Sequence, residues 1–171
     1  MNISIVVYII GWVLKFESAF MMLPFIVGLI YGEKTGYCYL IVAICSFIIG
    51  QLMTLRAPKS RHLYAREGFF AVALSWIVMS LVGAIPFTLS GDIPHYIDAL
   101  FETISGFTTT GSSILSNVEA MSYTNLFWRS FTHWIGGMGV FVFMMAIVPL
   151  MGGGTTLNLM KAESPGPSVD K

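Results

Sequence analysis

The chain has 171 residues, of which 56% are hydrophobic and only 11% charged, with nine Lys or Arg balanced by nine Asp or Glu. Soluble domains carry about 25% charged residues, so a chain this poor in charge cannot cover a water-facing surface, and its solvent is expected to be largely lipid. Zero net charge offers no argument for nucleic acid or an acidic partner.

A spanning helix needs about 20 mostly apolar residues, and four stretches approach that. The first runs from about Ile3 to Tyr31. It has no basic leader and no small-residue cleavage site, so it reads as retained and not as a signal peptide. Lys15 and Glu17 near its middle do not face each other. Lys15 is placed to snorkel and Glu17 to face a neighbouring helix, a structural role being preferred to an ion site. The second stretch, about Tyr37 to Leu55, has no charge and holds both cysteines, Cys38 and Cys45. Seven residues of helix separate them by about 10 Å, too far for a disulfide, so they read as buried free thiols. No cysteine or histidine cluster has metal-ligand spacing.

The segment from Arg56 to Glu67 carries Arg56, Lys59, Arg61 and Arg66, whereas Ser90–Asp98 has Asp92 and Asp98 and no Lys or Arg. Positive charge marks the cytoplasmic side, which places both termini in the cytoplasm. The third span covers about Phe69 to Leu89 and the fourth about Leu126 to Met151. Within the fourth, Gly136, Gly137 and Gly139 allow close approach of another backbone. Arg129 and His133 lie one turn apart near its outer end, Arg129 reading as an interfacial anchor with a pairing to Glu102 left open. Beyond Gly152–Gly154, the tail Thr155–Lys171 holds Pro165, Gly166 and Pro167 and reads as a linker.

Between the third and fourth spans, Tyr96–Phe107 has helical spacing of apolar residues (Ile97, Leu100, Phe101, Ile104, Phe107), with Pro94 just before it. Twelve such residues rise only about 18 Å, half a bilayer. A short helix followed at once by Thr108–Ser113 (TTTGSS) fits a hairpin that dips into the membrane and returns to the same side. Exposed backbone is tolerated at that depth only if buried in protein or lining a watery cavity. An extended strand of Thr residues can aim carbonyl oxygens at one axis, where they replace an ion's hydration shell. Gly111 is free to take positive φ, and the helix C-terminus favours a cation. Oxygen ligation of this kind suits a hard monovalent cation and offers no catalytic group, so no enzyme and no cofactor is expected. On spacing alone TTTGSS also fits a plain external loop.

Phe101–Ser113 (FETISGFTTTGSS) resembles the first pore loop of the TrkH/KtrB-type potassium transporters of bacteria. Arg66–Phe70 (REGFF), Gly83–Phe87 (GAIPF), Trp134–Val140 (WIGGMGV), Ala162–Pro167 (AESPGP), Met22–Pro24 and Leu29–Gly32 (LIYG) resemble the same family in order. The resemblance implies four linked helix–pore-loop–helix repeats around one axis, often preceded by an extra helix pair. It implies that Thr109 and Thr110 supply carbonyls to K+, the transported substrate. Thr108, Gly111 and Ser112 complete the strand. Glu102 sits on the pore helix where the family often has an acid, either anchoring the helix or attracting the ion. It also implies a cytoplasmic nucleotide-binding regulatory subunit and a second transporter protomer as partners.

The expected fold is therefore an all-α integral membrane protein with four transmembrane helices, one re-entrant pore helix and a filter loop. Residues 1–67 form an accessory pair with a cytoplasmic basic loop, 68–151 the first pore repeat, and 152–171 a cytoplasmic linker. The expected role is potassium uptake across a bacterial inner membrane, this chain supplying the first of four filter repeats and being a fragment. A small helical membrane protein with a structural or interaction role and no transport of its own is the alternative.

Overall fold

The computed structural model describes residues 3–55 and 65–150 of the chain, with side chains described at 3–55 and 67–139. The basic loop at 56–64 and the tail at 151–171 lie outside the described residues. Five α-helices are present among those described: α1 (Ile3–Tyr31), α2 (Gly36–Thr54), α3 (Ala65–Ser90), α4 (Tyr96–Phe107) and α5 (Tyr123–Leu150), with a single 3₁₀ turn at Val118–Ala120. By length and composition, α1, α2 and residues Glu67–Ser90 of α3 can each cross a membrane. The fourth expected span falls on α5, 28 residues of unbroken helix. The chain divides into two compact units, Met1–Gly136 and Gly137–Lys171. Helix α5 begins in the first, and in the second its backbone stays helical to Leu150.

Lipid tails are as apolar as Leu, so helices in a bilayer associate through close packing and internal polar bonds more than through the hydrophobic effect. The first unit is built that way. Helices α1 and α2 form an antiparallel hairpin so tight that a Cβ on Gly11 would stand 2.8 Å from Thr54 Cγ2. Ile5, Val6, Ile10 and Leu14 of α1 pack on Ala71 of α3. A second cluster joins Met21 of α1, Tyr39, Val42 and Ala43 of α2, Ala84 and Phe87 of α3, Ala99 and Phe107 of α4, and Trp128 and Ile135 of α5. Polar side chains inside the helices satisfy themselves locally. Ser75 Oγ donates to the Ala71 carbonyl and Ser80 Oγ to that of Trp76, at 2.7 and 2.8 Å.

Both ionisable residues of α1 behave as helix geometry requires. A helical side chain leans toward its N-terminus, and Lys15 Nζ lies over the Trp12 ring, 4.6 Å from its centroid. Glu17 is 1% exposed. It faces α3, where a Cβ on Gly83 would stand 3.3 Å from its Oε1. Neither of its oxygens has a hydrogen-bond partner among the described residues. The two cysteines are free, but Cys45 is exposed and Cys38 half-buried, not buried as expected, because the face of α2 on which they lie is turned away from the packed interior.

The N-terminus of α5 is held from two directions. From the α1–α2 turn, Glu33 accepts hydrogen bonds from the Tyr123 and Thr124 backbone N–H groups, both at 2.9 Å, and from Thr124 Oγ1 at 2.7 Å. Asp92, just past α3, accepts from the Ser122 N–H and Oγ and from Asn125 Nδ2, at 2.9, 2.8 and 2.7 Å. The first N–H groups of a helix have no partner within it, and carboxylates there are favoured by the helix dipole. Burial pushes the Glu33 carboxyl up, and the bonds from Thr124, Tyr123 and Thr35 outweigh that and hold it below the usual carboxylate value. Tyr39 of α2 completes the cluster by donating to Asn125 Oδ1 at 2.6 Å.

Candidate functional site

Helix α4 has 12 residues, a rise of about 18 Å. The bond between Ser122 and Asp92 returns the chain after α4 to the level where it left α3. The segment between is therefore re-entrant. Its apolar stripe is not its buried face. Ile97, Phe101 and Ile104 are exposed, whereas Ala99, Glu102, Thr103, Ser105, Gly106 and Phe107 are buried. Small and polar residues face α3 and α5 because these contacts are close. A Cβ on Gly136 of α5 would stand 2.2 Å from the Phe107 carbonyl oxygen, so only glycine lets α5 pass the end of α4 at this distance. Trp76 meets Phe107 edge-on, at 6.0 Å between ring centroids, and Trp128 Nε1 donates to the Gly83 carbonyl at 3.0 Å.

Glu102 is the junction of the site. Its side chain is fully buried and pairs with Arg129 Nε of α5 at 2.5 Å. Its other oxygen accepts from Ser113 Oγ at 3.0 Å and from the Ile114 N–H at 3.2 Å. One carboxylate thus ties α4, the chain descending from the loop, and α5. Its described bonds run to Arg129, Ser113 and Ile114. The open pairing of Arg129 with Glu102 is resolved as a direct ion pair. His133 supports it from one turn on, its Nδ1–H donating to the Arg129 carbonyl at 2.9 Å.

Thr108–Ser113 differs from the extended strand expected. The Thr109 N–H bonds back to the Gly106 carbonyl at 2.9 Å and that of Thr110 to the Ser105 carbonyl at 3.0 Å, the paired bonds that close a helix through a left-handed residue. That residue is Thr109, with φ +56°. Helices α1 and α3 end over Gly32 and Gly91, with φ +69° and +85°; at α4 a β-branched residue stands where those helices have glycine. Gly111 also has positive φ, at +77°. Ser105 Oγ donates to the Ser112 carbonyl at 2.6 Å and Thr109 Oγ1 to that of Thr108 at 2.7 Å. Among the described residues, no donor reaches the carbonyl oxygens of Thr109, Thr110 or Gly111. Residues 108–112 are exposed.

The structure thus brings Thr108, Thr109, Thr110, Gly111 and Ser112 together at the C-terminal end of α4, with Glu102 behind them on the protein side. Sequence reasoning missed the left-handed Thr109, the Ser113 bond to Glu102 and the bond from Ser105 to Ser112. A run of Thr and Ser from 108 to 113, broken only by Gly111, is the signal that pointed to the segment, but it does not say which groups bond inward. Among the described residues no group of acids, histidines and cysteines could hold a metal ion.

Two long helices flanking a half-length helix and an exposed polar loop define a helical membrane protein with a re-entrant segment. The family model for TrkH, described as a cation transport protein, matches residues 38–171. The chain belongs to that family. It is 36% identical over 163 residues to an uncharacterized cation transporter of Methanocaldococcus jannaschii, covering 95% of this chain and 34% of that protein. It is 36% identical over 173 residues to the Trk system potassium uptake protein TrkH of Escherichia coli K12, covering 99% of this chain and 35% of that protein. The crystal structure of the potassium transporter TrkH from Vibrio parahaemolyticus superposes with a TM-score of 0.82 at 31% identity, over 95% of this chain and 36% of that one. The chain spans about a third of the length of these relatives.

Proposed function

We propose that this chain forms one wall of a potassium-selective path across a bacterial inner membrane, with the TTTGSS loop as its filter strand. The observation that carries the reading is the row of carbonyls at Thr109, Thr110 and Gly111, which no donor reaches among the described residues. They stand exposed at the C-terminal end of α4 and are backed by a carboxylate whose own bonds are all internal. Carbonyls from several sides can replace a cation's water shell, and the helix dipole adds partial negative charge from behind. In this reading Thr109 and Thr110 coordinate K+, Thr108, Gly111 and Ser112 shape the strand, and Glu102 holds it in place. One strand cannot surround an ion, so conduction requires further strands, from additional repeats or from other copies of a chain.

Residues 1–67 act as an accessory pair, 68–151 as the pore repeat and 152–171 as a cytoplasmic linker. The basic residues between Arg56 and Arg66 support cytoplasmic termini. The family resemblance supports a cytoplasmic nucleotide-binding regulatory subunit and a second transporter protomer as partners. The test replaces the matching third of a potassium-uptake protein of the family with residues 1–171 and measures K+ and Na+ uptake in a potassium-uptake-deficient bacterium. The chimera should restore growth on limiting potassium. Gly111→Ser should lower the preference for K+ more than it lowers expression, because a side chain at this φ costs about 1–2 kcal/mol. An unchanged ion preference in a well-expressed Gly111→Ser chimera removes this loop from the filter.

A further inference from the structure

Two levels along α1 carry exposed aromatic residues of the interfacial kind, Tyr31 and Trp12. At one end Tyr31 stacks on Tyr123 of α5, with ring centroids 4.4 Å apart, and Tyr37 stands in the first turn of α2, all three exposed. Such tyrosines belong at a membrane interface. Trp12, 44% exposed, lies 19 residues back along α1, about 28 Å, close to the ~30 Å of a bilayer's hydrocarbon core. Helix α2 stops at the same level, where Gly11 packs against Thr54. Lys15, near the middle of the apolar stretch in sequence, therefore sits just inside this second boundary because α2 ends at Thr54, with its stem along Gly50 of α2 and its ammonium carried outward over Trp12. It has no acidic partner among the described residues, since Glu17 is buried on the opposite side toward α3.

One turn along α1 from Lys15, an open furrow of about 330 Å³ lies between α1 and α2. Ser18, Ala19 and Met22 form one wall and Ile44, Phe47 and Ile48 the other. Lys15 shares the first wall's helix face by i, i+3, i+4 and i+7 spacing. Exposed Gln51 continues the α2 wall to the level of the ammonium. A cation with no acidic partner among the described residues, an exposed amide on the neighbouring helix and an apolar furrow further along follow the order of groups in a phospholipid. We propose that this face of the accessory pair is a binding site for one anionic phospholipid, with its phosphate on Lys15 and an acyl chain in the furrow. The positive charge selects an acidic headgroup over a zwitterionic one. This site is independent of the filter loop and of the ion it passes.

The test is native mass spectrometry of the full chain released from micelles containing equal phosphatidylglycerol and phosphatidylcholine, with helix content followed by circular dichroism. One basic residue near a membrane surface favours an anionic lipid by about fivefold. The unaltered chain should retain phosphatidylglycerol by about that factor. Lys15→Gln should bring the ratio to about one, while Lys15→Arg should keep the preference. Ala19→Trp, at an exposed position, should fill the furrow and lower retention of both lipids. An undiminished preference in Lys15→Gln, or unchanged retention in Ala19→Trp, each at unaltered helix content, overturns the proposal. If Lys15→Gln loses helix, the Lys15→Arg and Ala19→Trp results decide it: Arg without preference, or Trp with full retention, is equally fatal.

Discussion

Removing Arg129 should cost more than removing the carboxylate it pairs with. Arg129→Gln leaves Glu102 with a fully buried side chain and no cation. Breaking a buried ion pair in this way costs about 3–5 kcal/mol. The bonds from Ser113 Oγ and the Ile114 N–H remain, which places the expected loss at the lower end, about 3 kcal/mol. Glu102→Gln is milder. Its amide oxygen can still accept from Ser113 and Ile114, and Arg129, 16% exposed, can turn its charge toward the surface. Its expected cost is about 1–2 kcal/mol. The double variant buries no charge and should lie near the milder single variant, so the two losses should fall short of adding by about 3 kcal/mol. The assay is a double-mutant cycle on reversible unfolding of the chain in mixed micelles. Additivity within about 0.5 kcal/mol would refute the junction argued for Glu102, since uncoupled sites behave that way.

Gly136→Ala places a methyl 2.2 Å from the Phe107 carbonyl oxygen. Overpacking of this kind costs about 1–3 kcal/mol, so the unfolding midpoint should drop, and the potassium preference of the chimera should drop with it. Glu33→Gln should lower stability at neutral pH and flatten its acid dependence. The Glu33 carboxyl is held below its usual value, so its contribution is fully present above the unfolded value and disappears as pH falls through the lower folded one. A melting curve with the same acid slope in both proteins would exclude this. For orientation, a cysteine at exposed His95, in a background without Cys38 and Cys45, should react with an impermeant thiol reagent added outside. One at Ser60 should not, and the reverse pattern would invert the topology. Asp92 is a poorer label site, because its carboxylate is occupied at the start of α5.

The helices were legible in the sequence because lipid enforces a simple rule. A spanning backbone must bond within itself, so apolar length reports structure directly, and α1, α2 and α3 fall within a few residues of the expected spans. The limits of α4 were legible for a related reason, since Pro94 precedes its start and the apolar spacing ends at Phe107. The face that α4 buries was not. In a soluble helix the apolar stripe marks the core. Here Ile97 and Phe101 point outward, while Glu102, Thr103 and Ser105 are buried, because close contact favours small residues and bonded polar groups. The same misplaced intuition assigned Cys45 to the interior. The Glu33 and Asp92 bonds to α5 were hidden for a different reason. They join residues 90 and 30 positions apart in the chain, and no periodicity encodes such a pairing. Thr109 defeats propensity altogether, since a β-branched residue with positive φ is an outlier that only the bonds around it can hold.

The clasp on the first turn of α5 also imposes an order on biogenesis. Glu33 leaves the ribosome with the first hairpin and Asp92 with the end of α3, well before Ser122, Tyr123 and Thr124 are made. When α5 enters the bilayer, both carboxylates that receive its free N–H groups are already in position. The last helix then docks into a finished receptor instead of searching for one, and the accessory pair acts as an assembly template for the wall that follows it. A chain lacking residues 1–35 should still insert its remaining spans, but its α5 would enter with one of two receptors missing and tend to remain exposed to quality-control proteolysis.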